Sequence, residues 1–198
     1  MHDASRFRQE GTLPIRRPHA FAAVRLAATM LVLVPAPALA SNGDWATASD
    51  VAAIGLSAVA VGLPAVRGDG SGALQAGASI GAAGLVATGL KEAFPELRPD
   101  GSDRRSFPSG HTAVSFAAAA TLYEREGPRV GIPAFAVAGF VGVARVEADK
   151  HHWYDSLAGA AIGTASGLLI TRKPHVMEAA WVPWGDPHGG GVSMAMAF

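Results

Sequence analysis

After residue 50, five apolar stretches of this chain contain no charged residue: Val51–Val66, Gly72–Leu90, Thr112–Tyr123, Val130–Ala144 and Ser156–Thr171. Charge marks their ends, at Asp50 and Arg67, Asp69 and Lys91, Glu124, Arg129 and Arg145, Asp155 and Arg172. All are rich in Ala and Gly, and Ala is the best helix former. Arg67-Gly68-Asp69-Gly70 and Gly127-Pro128 read as short turns between antiparallel helices. The expected fold is therefore all-α, an antiparallel bundle of five to six helices. No internal repeat or low-complexity linker interrupts it. Small residues at this density, with 24 Gly, fit helices that pack backbone to backbone, as in small-xxx-small membrane interfaces.

A spanning helix needs about 20 apolar residues, which only Gly72–Leu90 approaches. Mean hydropathy is only slightly positive, so a soluble periplasmic bundle is the competing reading. Charge placement favours the membrane. If successive segments alternate in direction, Arg67, the Glu124–Arg129 loop and Arg172-Lys173 collect on one side. Excess positive charge marks a cytoplasmic face. Residues 91–111 and 145–155, with most of the remaining polar chemistry, then lie on the other face.

The chain divides into three parts: 1–40, 41–175 and 176–198. The first carries Arg6, Arg8, Arg16, Arg17 and Arg25, then an apolar run from Leu26 to Ala40. Its Ala38-Leu39-Ala40 ending before Ser41 is a small-x-small pattern, expected for a cleaved export signal. The alternative is an uncleaved first membrane helix, against which Pro35 and Pro37 argue. The central part is the bundle. In the tail, Val176–Trp184 and Gly191–Phe198 flank Gly185–Gly190. Val192, Met194, Met196 and Phe198 alternate with smaller residues, so the tail reads as a short β-hairpin.

Sixteen basic and sixteen acidic residues cancel, which excludes a polybasic nucleic-acid binder. The absence of Cys excludes thiol catalysis, Cys-ligated zinc and a disulfide scaffold. What remains is a set of polar clusters at the ends of apolar helices. Lys91 and Arg98 are seven apart, roughly one face of a helix, although Pro95 can distort it. An interfacial anchor is the plain alternative for that pair. Phe107-Pro108-Ser109-Gly110-His111 feeds a helix start, whose free N–H groups and dipole suit a phosphate. His111 is placed to pass a proton to a leaving group. The plain alternative is a Ser-capped helix with a surface His. Arg145 is followed by His151 and Asp155, the last two four apart. On a helix they share a face, and the carboxylate can fix the imidazole tautomer for nucleophilic attack. His152 has Ser156, not an acid, at that spacing. Three cations, two histidines and a carboxylate suit phosphoryl transfer through a phosphohistidine without a metal.

These clusters resemble the signature of the type 2 phosphatidic acid phosphatase superfamily. Its pattern is Lys-x6-Arg-Pro, Pro-Ser-Gly-His, then Ser-Arg-x5-His-x3-Asp. Lys91, Arg98 and Pro99 match the first motif. Pro108, Ser109, Gly110 and His111 match the second, and Arg145, His151 and Asp155 the third. Ala144 stands where the family carries Ser, which removes one hydroxyl near the phosphate. The resemblance implies phosphate binding by Lys91, Arg98, Arg145, Ser109 and the Gly110 backbone. It implies His151 as nucleophile, Asp155 as its orienting partner and His111 as general acid, with no cofactor. The implied substrate is a phosphorylated lipid or a small phosphate ester. The implied location is a bacterial inner membrane with the site facing the periplasm, or the periplasm itself for a soluble acid phosphatase.

The alternatives are a metal-dependent hydrolase ligated by His111, His151, His152 and Asp155, a vanadium haloperoxidase, a non-catalytic membrane protein, and a Ser–His–Asp hydrolase using Ser109. The last lacks a Gly-x-Ser-x-Gly elbow. The loop Asp100–Phe107, with Arg104 and Arg105, is expected to touch the substrate head group.

Overall fold

The computed structural model of the protein describes residues 41–173, 178–186 and 189–197. Residues 1–40, expected to be an export signal or a first membrane helix, lie outside them. Each apolar segment forms a helix that extends past it at one or both ends: α1 (Asn42–Val66), α2 (Gly70–Ala93), α3 (Gly110–Glu126), α4 (Pro128–Glu147) and α5 (Trp153–Ile170). The largest extension is in α1. Ser41 and Asp44 form a reciprocal capping box, which adds two polar turns before the apolar stretch. Gly127, at φ 79°, ends α3, and Pro128 opens α4 at a position where its missing N–H costs nothing. The tail forms an antiparallel pair, β1 (Glu178–Asp186) and β2 (Gly189–Ala197), with Asp186 opposite Gly189. The expected hairpin is present, and both strands start or end within a few residues of the expected bounds.

The helices alternate in direction. At one end Arg67 forms a double hydrogen bond with Glu126, at 2.9 and 2.8 Å. There too Arg125 pairs with Asp69, and the Arg172 N–H donates to Gln75 at 2.8 Å. At the other end Asn42 donates to Asp149 at 2.7 Å, and the Asp100 N–H donates to the Asp149 carbonyl at 3.1 Å. The basic turns and the three motifs therefore sit at opposite ends of the bundle, as the alternation requires.

α3 is the central helix and packs against all four others. Its face against α5 is built on Gly159, Gly163 and Gly167, spaced four apart. A Cβ at Gly159 would overlap the Ser109 carbonyl oxygen, and one at Gly163 the Ala113 carbonyl oxygen. At Gly167 it would overlap the Ala120 side chain. The two backbones meet with nothing between them, which is how small residues bind helices closely.

The distribution of size is inverted relative to a water-soluble bundle. The fully buried positions include Ala76, Ala83, Ala113, Ala117–Ala120 and Ala138. Ile54, Leu74, Leu85 and Leu169 point outward, exposed by 71, 73, 76 and 83%. Large apolar side chains outside and alanine inside are at home in lipid, where burying them gains little. Three helices, α1, α2 and α4, are long and apolar enough to cross a membrane. The fold is an all-α membrane-type bundle of five described helices with a small hairpin.

The glycine seam gives a direct test. Gly163→Val should cost at least about 3 kcal/mol, because the clash is with backbone that cannot move aside. Gly77→Ala, where a Cβ meets nothing within 4 Å, should be neutral or slightly stabilising. Thermal unfolding of the two variants in detergent, followed by circular dichroism, measures the difference.

Candidate active site

The three motifs converge at the end of the bundle opposite the basic turns. The first is assembled differently from its spacing. α2 stops at Ala93, so Arg98 lies beyond the helix rather than two turns along it. Pro95 cannot continue the helix. Residue Glu96 instead bridges Arg105, with the Ser106 N–H donating to the Glu96 carbonyl at 3.0 Å. Lys91 reaches into this loop. Its Nζ donates to the carbonyls of Arg105, Ser106 and Pro108 at 2.6, 3.1 and 2.6 Å. Lys91 thus braces the segment that leads into the second motif. Arg98 donates to Asp103 at 2.7 Å and to the Lys150 carbonyl at 3.3 Å, tying the first motif to the third. That arginine holds the Asp103 carboxyl below the ordinary aspartate range.

The second motif forms as its residues dictate. Ser109 caps α3, accepting from the Thr112 hydroxyl at 2.9 Å. Its own N–H donates to the Asp155 carbonyl at 3.0 Å, so the start of α3 is fastened to the first turn of α5. The N–H groups of Gly110 and His111 lie in the first turn of α3, where a helix offers no internal acceptor. His111 is half-exposed, and its Nε2 lies 3.1 Å from Asp50 Oδ1.

The third motif starts where α4 ends. Asp149 takes a left-handed conformation (φ 55°), which Asp tolerates better than most residues. The chain then wraps back, and the N–H groups of Lys150 and His151 both donate to the Arg145 carbonyl, at 3.1 and 3.2 Å. His151 is 2% exposed and Asp155 fully buried. His151 is not on α5, as a shared helical face requires. His152 is the N-cap, and His151 precedes it. The i,i+4 spacing acts through the cap. Asp155 accepts from the His152 N–H at 2.8 Å, and this places its carboxylate 3.6 Å from His151 Nδ1. That separation is longer than a hydrogen bond. Asp155 Oδ2 lies closer to His152 Nδ1, at 3.3 Å, and takes a 2.5 Å bond from Ser106 Oγ.

Burial pushes the His151 imidazole well below the ordinary histidine range, and Lys91, Arg98 and Arg145 push the same way. Asp155 opposes them but does not reverse the shift. His111 is also lowered, by burial first and then by Arg145, with Asp50 acting against this. Arg145 Nε, His151 Nδ1 and Asp155 Oδ1 are buried with no hydrogen-bond partner among the described residues. A site with unpaired donors and surplus cations is arranged for an anion.

The sequence reading missed several contacts. Ser106 is fully buried against Asp155. Ser49 and Asp50 of α1 both accept from Arg145, at 3.3 and 3.1 Å. None belongs to a motif. The proximity of Ser106 to the second motif and the charge of Asp50 at a segment boundary were the available signals. Of the loop arginines expected at a head group, Arg104 is exposed, whereas Arg105 pairs with Glu92 at 2.6 Å. Among the described residues, the donors that converge as a metal would need, within 4.8 Å of one another, are those of Glu96, His152 and Asp155. This differs from the histidine-rich set expected from sequence: it lacks His111, which is engaged with Asp50, and it lacks His151.

Comparison with known proteins points the same way. The chain is 42% identical over 90 residues to a lipid A 1-phosphatase of Porphyromonas gingivalis, covering 43% of this chain and 20% of that protein. It is 36% identical over 98 residues to lipid phosphate phosphatase 1 of Arabidopsis thaliana, covering 40% of this chain and 30% of that one. The chain thus spans less than a third of the length of either relative. No solved structure gives a significant match. A profile of the PAP2 superfamily matches residues 72–176, more than half of the chain and the whole of the motif-bearing region, and the chain belongs to that superfamily.

Proposed function

We propose that the protein is a metal-independent phosphatase acting on lipid phosphate mono- or diesters through a phosphohistidine on His151. The observation that carries this reading is a buried histidine kept neutral by its surroundings, beside three cations and a helix N-terminus. Arg145, Arg98 and Lys91 neutralise the phosphoryl oxygens, and the Ser109 hydroxyl and Gly110 N–H add hydrogen bonds. The imidazole of His151 attacks phosphorus. The P–O bond to the leaving group breaks, and His111 protonates the departing oxygen. Water, deprotonated by His111, then attacks phosphorus, breaks the P–N bond, and releases phosphate with neutral His151.

Lys91, Arg98 and Arg145 all hold protein acceptors in the described structure. Lys91 and Arg98, whose acceptors are mainly loop carbonyls and Asp103, exchange partners when phosphate enters, while Arg145 Nε is unpaired among the described residues and available. Asp155 orients His151 once the 3.6 Å gap between them closes on binding. Catalytic hydrogen bonds often tighten only in the substrate complex.

Two features support a lipid. The bundle presents large apolar side chains outward. Beside the site, Phe94, Leu97 and Trp153 are 58, 49 and 65% exposed, an aromatic and apolar rim of the kind that suits a membrane interface. With the basic turns on the cytoplasmic side, the site faces the periplasm of a bacterial inner membrane.

Phosphate release should be measured on p-nitrophenyl phosphate, phosphatidic acid, phosphatidylglycerol phosphate and undecaprenyl diphosphate, all with chelator. Wild type should release phosphate from a lipid. His151→Ala should lose at least about 1,000-fold, in line with removing a nucleophile. Release that requires a metal, or that survives in the variant, overturns the mechanism. A preference for the soluble ester would identify an acid phosphatase instead.

The pH dependence has a definite sign. His151 must be neutral, and its lowered pKa keeps it so as pH falls through about 6.5, the ordinary histidine value. His111 must be protonated, and its lowered pKa removes that proton before pH reaches the same value. With the substrate's own ionisation factored out, kcat/KM should therefore peak below pH ~6.5. A pH–rate profile with an alkaline optimum would contradict this.

A further inference from the structure

Asp50 lies on α1, outside every motif and about 40 residues before the first of them, and no role follows for it from the phosphatase signature. Its Oδ1 nevertheless lies 3.1 Å from His111 Nε2 and 3.1 Å from Arg145 Nη1. Ser49 beside it accepts from the same Arg145 nitrogen at 3.3 Å. One turn of α1 therefore grips a residue from the second motif and a residue from the third. The groups whose charge reaches His111 are Arg145 from α4, Lys91 from α2, Arg98 from the loop and Asp50 from α1. Three are cations, which repel a proton from the imidazole, and Asp50 is the single carboxylate among them.

We propose that Asp50 is a positioning residue, whose carboxylate holds the His111 imidazole and the Arg145 guanidinium in one arrangement and opposes the pull of the surrounding cations on the imidazole's proton. This rests on the reading of His111 as the general acid. A phosphate site needs cations, yet cations near a general acid strip its proton before it can act. Asp50 resolves this conflict locally. It shares one oxygen between the acid and one of the three phosphate-binding cations, Arg145. It does not touch the reacting atoms and acts only through His111 and Arg145.

The test uses full-length protein in detergent, with histidine labelled for NMR. His111 is titrated directly, and kcat/KM for the preferred substrate is followed against pH in the same variants. In Asp50→Asn the His111 titration should move down by about one pH unit, the low end of what an opposite charge at this distance produces. The alkaline limb of kcat/KM should move with it. Asp50→Glu restores the charge and should recover both, which separates charge from shape and guards against a variant that merely misfolds. A His111 titration that does not move in Asp50→Asn overturns the proposal, whatever the activity. A titration that moves while the rate profile stays fixed shows that His111 is not the acid, and overturns this role together with that assignment. Wild type that turns over no substrate fails the phosphatase reading instead, and the titration arm still tests the contact.

Discussion

The direct contact between the backbones of α3 and α5 is the constraint on which the site depends. Ser109 begins α3, and Asp155 lies in the first turn of α5. The Ser109 N–H to Asp155 carbonyl bond joins them only because Gly159 lets the two helices close to backbone distance. Gly163 and Gly167 continue the contact down the bundle. A side chain at any of the three would push apart the helix that offers N–H groups to an anion and the helix that carries the carboxylate. The site's precision thus comes from what these positions lack.

Electrostatics then works within that fixed geometry. Lys91, Arg98 and Arg145 converge from a helix, a loop and a second helix. Like charges are costly to gather where burial weakens water's screening, and here each cation is partly satisfied: Lys91 and Arg98 by carbonyls and Asp103 of the loops that link the motifs, Arg145 by Ser49 and Asp50 of α1. The bonds of Lys91 and Arg98 brace those loops. The same cations, with burial, keep His151 unprotonated and so available as an electron-pair donor. The two histidines in this site have different surroundings. His151 sees cations in a dry pocket, while half-exposed His111 has Asp50 against it.

The bundle solves a further problem by placing its bulk outside. Alanine-lined interiors allow close helix approach but bury little apolar surface, a poor basis for stability in water. Leucine and isoleucine on the outer faces of α1, α2 and α5 make sense against lipid chains. The polar caps at the two ends confine charge to the boundaries, with Arg125 and Asp69 closing one end and the motif loops the other.

The sequence by itself determined the helices, their antiparallel order, the hairpin, and the sorting of basic turns and motif residues to opposite ends. Charge-free Ala/Gly segments bounded by charge leave few other solutions. It also determined which residues carry the family signature, because those positions are marked by type and spacing together. It did not determine how the spacing is used. Lys91 and Arg98 meet through a loop after Pro95 stops the helix, and His151 approaches Asp155 from outside the helix through the cap that His152 begins. Nor did it reveal Asp50, Ser49 or Ser106, whose partners are 46 to 96 residues away. Local propensity and periodicity are properties of neighbouring residues. Contacts between a carboxylate on α1 and a histidine on α3 exist only once the helices have packed, and the tertiary structure alone decides them.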